Sequence, residues 1–321
     1  MRPSLVSLAL LLAAAPAFSA DDLVWGSKSY GLVLLGQNGG KDWNDLVAKL
    51  RKDLKEQVPL EAVNGMVGPK SLQTAVDRLL AKNVRKIVVV PLFLFTQSDD
   101  IEQLQYLLGM RKLPSESFMI RWGMRAELVK RVKAKKVPVV LGHGLDDDPV
   151  CAKALLARAK TLSKKPKDES VFLVGQGLGP DGTDDARLHI LESFAAEVEK
   201  KGGFYSVRAL LLRPATPEDP ELEQRTLKEL RGAIQAGSVR GHVIVLPYLL
   251  ERDGSERLLK KKLDNLFYRW DGIAMLPNLL MVQWVRDHAR ELSTLPDQVR
   301  FKDDGQPLPP DEIKLKAPAS R

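Results

Sequence analysis

The short stretch richest in chemical possibility is Gly142-His143-Gly144, followed by Asp146-Asp147-Asp148-Pro149. A neutral imidazole with carboxylate oxygens is a sound donor set for iron, cobalt, nickel or zinc. His143, Asp146 and Asp147 are therefore candidate metal ligands. His143 is also a candidate catalytic base, because an unperturbed imidazole titrates near neutrality. Asp148 has a plainer reading. An Asp directly before a Pro is a helix N-cap followed by proline at the first helical position, and that needs no metal. His189, His242 and His288 lie far apart, and no two histidines form the HxxxH pair of a zincin. His189 and His288 fall in polar helical stretches and read as surface residues. His242 opens an expected strand and reads as partly buried, with no role. Cys151 is the single cysteine, so no intrachain disulfide and no cysteine-built zinc or iron–sulfur site can form.

Two glycine-bearing stretches echo one another: Leu34-Leu35-Gly36-Gln37-Asn38-Gly39 and Leu173-Val174-Gly175-Gln176-Gly177-Leu178. A second echo follows each, Val89-Val90-Pro91-Leu92-Phe93-Leu94 and Val245-Leu246-Pro247-Tyr248-Leu249-Leu250. In parallel sheets, ligands bind beyond the carboxyl ends of strands. Glycine lets backbone amides approach a ligand, and the following helix N-terminus favours anions. Gln37 and Gln176 are thus candidate ligand-binding residues. Neither stretch is GxGxxG or GxxxxGK[ST], so dinucleotide and P-loop readings fail. A tight strand-to-helix turn accounts for Gly36–Gly40 equally well.

The elements that must position these residues alternate. Strands are expected at 31–35, 60–63, 86–93, 118–121, 137–141, 170–174, 207–212, 242–246 and 272–275. Helical spacing runs through 43–54, 71–80, 149–162, 186–198 and 221–234. Strands such as Ile87-Val88-Val89-Val90 are apolar throughout, as in a parallel sheet covered on both faces. The alternation predicts an α/β fold with helices on both faces of parallel sheets. The echoes predict two related units, 21–165 and 166–293, with a polar linker near 163–169 and a flexible tail at 294–321.

Hydrophobic residues make up 44% of the 321 residues and charged residues 28%, an ordinary globular balance that excludes wholesale disorder. The net charge of +8 suits an acidic small molecule. Aromatics are only 6% and do not alternate with basic residues, which argues against a nucleic-acid partner. Arg2, the apolar run from Leu5 to Ala15 and Ala17-Phe18-Ser19 form a secretory leader pattern. We therefore expect residues 1–20 to be a signal peptide, with cleavage between Ser19 and Asp21 and a periplasmic or secreted mature chain. No later run is long enough to span a bilayer, so the mature chain is expected to have no membrane span.

The order of these elements resembles the CbiX/SirB-like sirohydrochlorin chelatases, class II tetrapyrrole chelatases. The resemblance is carried by residues 31–40, by KIVVVPLFLFTQSDDIEQLQYLLG, by VPVVLGHGLDDDPVCAKALLARAKTLS and by residues 170–179, with a weaker match at 243–250. It implies two tandem chelatase-like (flavodoxin-like) domains, and a lyase-type activity that inserts a divalent metal, Co²⁺ or Fe²⁺, into an acidic tetrapyrrole. It also implies a histidine in the first glycine motif and another in the loop after the PLF strand. Here those positions are Gln37 and Gln97, and the second half carries Gln176. Glutamine takes no proton at neutral pH, and its amide oxygen is a poor transition-metal ligand. The sequence therefore points to a degenerate, exported tetrapyrrole- or metal-binding pseudoenzyme with no resident cofactor. Its ligand site is expected in a cleft facing Gln37, Gln97, His143 and Gln176. The alternatives are an active chelatase using His143 with neighbouring Asp residues, or an unrelated exported α/β small-molecule binder.

Overall fold

The computed structural model describes residues 30–55, 57–65, 68–178, 183–302 and 304–309. The expected leader at 1–20 lies outside the described residues. The elements run β1 (Gly31–Leu35), α1 (Lys41–Leu54), β2 (Leu60–Val63), α2 (Pro69–Ala81), β3 (Ile87–Pro91), α3 (Asp99–Leu107), α4 (Glu116–Trp122) and β4 (Val139–Leu141). They continue with α5 (Pro149–Leu162), β5 (Glu169–Gln176), α6 (Thr183–Gly202), β6 (Ser206–Leu212), α7 (Leu222–Arg240), β7 (His242–Tyr248), α8 (Ser255–Lys262) and α9 (Leu279–Thr294). The strands form two sheets, ordered β2-β1-β3-β4 and β6-β5-β7. Every named pairing is parallel. This is the α/β architecture expected from the sequence.

Register explains why the echoes matter. Leu35 at the end of β1 lies opposite Pro91 of β3, and Val174 of β5 lies opposite Pro247 of β7. In each sheet, the glycine stretch and the proline-bearing stretch therefore end side by side. All of β1, β3 and β4 is buried, as continuous apolar runs require.

One apolar core joins the two sheets. It takes Leu34 and Val90 from the first, Leu173 and Leu246 from the second, and Leu155 of α5 and Val285 of α9 between them. The outer face of the first sheet packs Val33 and Val89 on Leu72, Val76 and Leu104 of the helices there. The second sheet packs Phe172 and Val174 against Leu230 and Ile234 of α7. Among the described residues, no helix is long and apolar enough to cross a membrane.

Five expectations are corrected. Residues 118–121 are helical, because the Ser115 hydroxyl accepts from the Phe118 N–H and caps α4. Burial of Phe118 and Met119 then follows one helix face. Residues 272–275 form no strand. The chain there is tied instead by hydrogen bonds from Met275 N–H to Leu249 O, from Leu276 N–H to Leu250 O and from Ile273 N–H to the Asp271 carboxylate. The boundary of the second unit at 293 also fails, since α9 packs on α1 and on β3 of the first sheet.

Finally, residues 295–309 are not a loose tail. Strand β4 is an edge whose backbone groups need partners. Val139 N–H donates to the Asp297 carboxylate and Leu141 N–H to the Gln298 side-chain oxygen, both at 2.9 Å. Gln298 N–H returns a bond to Val139 O at 3.0 Å. The rest of the tail, 310–321, lies outside the described residues. His189 is exposed as expected, and His242 is exposed rather than partly buried.

The link between the sheets is organised by one carboxylate. Glu169, fully buried at the start of β5, accepts from the Ser163 hydroxyl, from the N–H groups of Lys164 and Lys165, and from Arg269 at 2.6 Å. Burial pushes its carboxyl up, but these four hydrogen bonds outweigh burial and hold it down at about 2. A depressed folded-state value gives stability that is present above the unfolded value and lost as pH falls. The expected outcome is that the protein loses stability from about pH 4.5 towards 2. Glu169→Gln should cost about 3 kcal/mol at neutral pH by stranding part of that network, and should flatten the acid limb. Urea unfolding followed across pH checks both.

Candidate functional site

The loop after β1 is shaped by its glycines. A Cβ at Gly36 would sit 2.4 Å from the Trp43 ring. Gly39 has φ +74°, and a Cβ there would meet Asn64 at 2.2 Å. Only glycine therefore lets the chain turn this tightly from strand into α1. The loop is then fixed from the second unit. Arg252, just past β7, forks onto the buried Asp42 carboxylate at 2.8 and 2.5 Å, and its own N–H adds a third bond at 3.1 Å. The Arg252 hydrogen bonds hold the Asp42 carboxyl below the usual range. Asn38 donates its N–H to Glu251 and its side-chain amide to Asp253.

The loop after β5 is built differently. Asp184, in the first turn of α6, accepts from Leu178 N–H at 2.8 Å and from Arg213 at 3.0 Å. A Cβ on Gly177 would collide with that carboxylate at 2.6 Å.

Between these loops lies a cleft of about 170 Å³, reached by both Gln37 and Gln176. Its charged groups are Asp99, Asp100, Arg121, Arg187, Glu251 and Asp253. Most are already committed. Arg121 bridges Asp99 and Asp100 at 3.0 and 2.9 Å. Asp253 accepts from Asn38 and from Ser255 N–H. Burial raises the Asp100 carboxyl, moderated by Arg121. Burial likewise raises Glu251, against the lowering effect of hydrogen bonds from Asn38 and Gly40. Glu251 is 3% exposed, and its Oε2 has no hydrogen-bond partner. A larger groove of about 650 Å³ runs along β2 and α2, but there Glu61 is already paired with Arg78 and Lys82.

The structure thus brings Gln37 and Gln176 together and leaves the other candidates apart. Gln97 is exposed, next to the cleft residue Ser98, but does not line the cleft. His143 does not line it either. It sits beyond β4 against α9, its Nδ1 2.6 Å from Gly144 O. The Asp146 carboxylate is occupied by Thr96, accepting from its N–H at 2.7 Å and its hydroxyl at 2.5 Å, in a turn where Asp146 has φ +42°. It lies 4.0 Å from the His143 ring nitrogen. Asp147 is exposed. Asp148 is the N-cap of α5, accepting from Val150 N–H at 2.8 Å, and also accepts from Trp284. Among the described residues, no group of three His, Cys, Asp or Glu is placed to hold a metal ion.

Three residues were not singled out by sequence reasoning. Glu251 stands in the charged run that follows the second proline-bearing strand, and that position was a usable signal. Arg187 had none. His288 was read as a surface residue, but it is 6% exposed, because α9 turns that face onto the first sheet. Its ring stacks on Trp284 and meets His143 at 4.3 Å between centroids.

Two parallel α/β units meeting at their strand ends, with a cleft between the end loops, define a chelatase-like two-lobed protein. Residues 34–162 match the CbiX family model. The resemblance to the CbiX/SirB-like chelatases drawn from the sequence therefore holds, carried by that stretch of the chain. Among solved structures, the chain is similar to SirB from Bacillus subtilis with Fe3+, at 15% identity over 83% of this chain and 96% of that one, with a TM-score of 0.56. It also matches DR2241 from Deinococcus radiodurans, a multi-domain protein with structural similarity to chelatases. There the identity is 15%, over 89% of this chain and 59% of that one, with a TM-score of 0.44. No curated protein matches the chain.

Burial, then the neighbouring His143 charge, lowers the His288 imidazole to about 4, and Asp148 opposes this. A histidine held neutral in the fold protonates more readily when unfolded, so stability falls as pH drops from about 6.5 towards 4. That loss should reach about 3 kcal/mol. His288→Gln should remove most of the pH dependence in this window, which is distinct from the more acidic window of Glu169. Denaturant unfolding at pH 7.5, 5.5 and 4.5 tests it.

Proposed function

We propose that the protein is an exported chelatase-like protein that binds a tetrapyrrole, or another acidic small molecule, at the cleft between the β1 and β5 loops. It does not itself insert metal efficiently. The observation that carries this reading is the cleft itself, where the strand ends present Gln37 and Gln176. The resemblance implies a proton acceptor and metal ligand in the first glycine motif. Glutamine serves as neither, but its amide donates and accepts hydrogen bonds to a carboxylate or a pyrrole edge. The leader pattern supports export.

The cleft volume limits the pose. About 170 Å³ is below the roughly 300–1,000 Å³ of pockets that enclose drug-sized ligands. A macrocycle would rest at the mouth and send only an arm inside. An active chelatase built on His143 is less well supported, since Asp146 is occupied by Thr96 and His143 stands outside the cleft.

The test is titration of the purified protein with sirohydrochlorin, followed by visible absorbance, with and without Co²⁺. The expected result is a shifted band with no acceleration of metal insertion. Protein-dependent insertion lost in His143→Ala would replace this reading with the active-chelatase one. No spectral change would remove the tetrapyrrole. A gain-of-function arm sharpens the test. Restoring imidazoles with Gln37→His and Gln97→His together should raise the insertion rate at least tenfold, because only then does the cleft edge carry metal-handling bases.

A further inference from the structure

Within the cleft, one cation makes no hydrogen bond to any described residue, and one carboxylate, Glu251, is held by only one of its two oxygens. Arg187 projects from α6 and is 8% exposed. Its guanidinium stacks 4.7 Å above the Phe95 ring. Its buried Nε has no partner, and it makes no hydrogen bond or ion pair with any described residue. The nearby carboxylates are taken, Asp184 by Arg213 and Asp99 by Arg121. A buried guanidinium without an acceptor is costly to maintain. Its planar fork matches a carboxylate, and stacking on an aromatic ring pre-orders it for that contact. Glu251 lines the same cleft with its Oε2 buried and unpaired.

From this guanidinium and its place in the cleft, we infer that the cleft is a carboxylate-arm subsite, with Arg187 binding the ligand's carboxylate. A cavity of about 170 Å³ suits such an arm better than a ring. The inference rests on the tetrapyrrole reading for the identity of the ligand, but not for the chemistry of the subsite. It gives the cleft a selectivity rule: acids bind and their esters do not.

The experiment compares sirohydrochlorin with its fully methyl-esterified form, on the wild type, Arg187→Gln and Arg187→Lys. Thermal unfolding of each variant controls for folding. The wild type should prefer the acid at least tenfold. Arg187→Gln should abolish that preference by weakening the acid alone, and Arg187→Lys should fall between. Equal binding of acid and ester by the wild type, or equal loss of both in Arg187→Gln, overturns the subsite while leaving tetrapyrrole binding intact. If neither tetrapyrrole binds, the proposed function fails, and glutarate then decides the subsite alone. A saturable shift of the Arg187 Nε–H resonance sustains it, and no shift ends it.

Discussion

The fork between Arg252 and the buried Asp42 carboxylate is the contact on which the cleft depends. It ties the loop after β7 to the first turn of α1, across the junction of the two units. A charge this deeply buried is tolerable only with its partner in place, so the pair fixes geometry more than it adds net stability. Once Arg252 is set, its neighbours Glu251 and Asp253 fall against Asn38. The β1 loop then holds one conformation, with Gln37 at the cleft. The shared apolar core below leaves the two sheets little freedom to part, because its side chains come from both.

Much of the fold could be read from the sequence, and the failures share a cause. Strands such as Gly31–Leu35 and Ile87–Pro91 show themselves because burial on both faces demands unbroken apolar runs. The run at 118–121 looks just as β-like, yet it lies on no sheet, and the Ser115 cap made it helical. Residues 295–309 carry no periodicity, because Asp297 and Gln298 act through single hydrogen bonds to the β4 edge rather than through a repeating face. Local pattern cannot show where α9 will dock. That docking turned His288 inward and drew the last helix away from the unit in which the sequence placed it.

The site was legible to the extent that it lay at strand ends. Gln37 and Gln176 converge because the two central strands finish with similar glycine-bearing sequences, although the turns that follow are held by different partners. His143 also follows a strand, but β4 is an edge strand, and α9 covers that corner. Asp146 illustrates how a ligand-like sequence can serve structure. Its carboxylate closes a turn around Thr96, and Thr96 in turn accepts from Gly144 N–H at 2.7 Å. A His-x-x-Asp spacing says nothing of such partners.

The cleft presents Gln37 and Gln176 at its strand ends, and most of its charged groups are held by one another or by backbone. The carboxylates Asp99 and Asp100 neutralise Arg121, and Asp253 holds backbone, so the cleft's surplus charge is smaller than its composition suggests. What remains is the Arg187 guanidinium on an aromatic ring, beside the second oxygen of a Glu251 carboxyl that burial raises above its usual range. A guanidinium can only donate, and its planar fork matches a carboxylate. On the proposed reading, that fork would recognise an acidic arm by charge and hydrogen bonding, without proton transfer on a macrocycle outside. On the proposed reading, recognition in the cleft would draw on Arg187, whereas taking up pyrrole protons and holding a metal would need imidazoles, and at the two positions where the family resemblance implies them this chain carries Gln37 and Gln97.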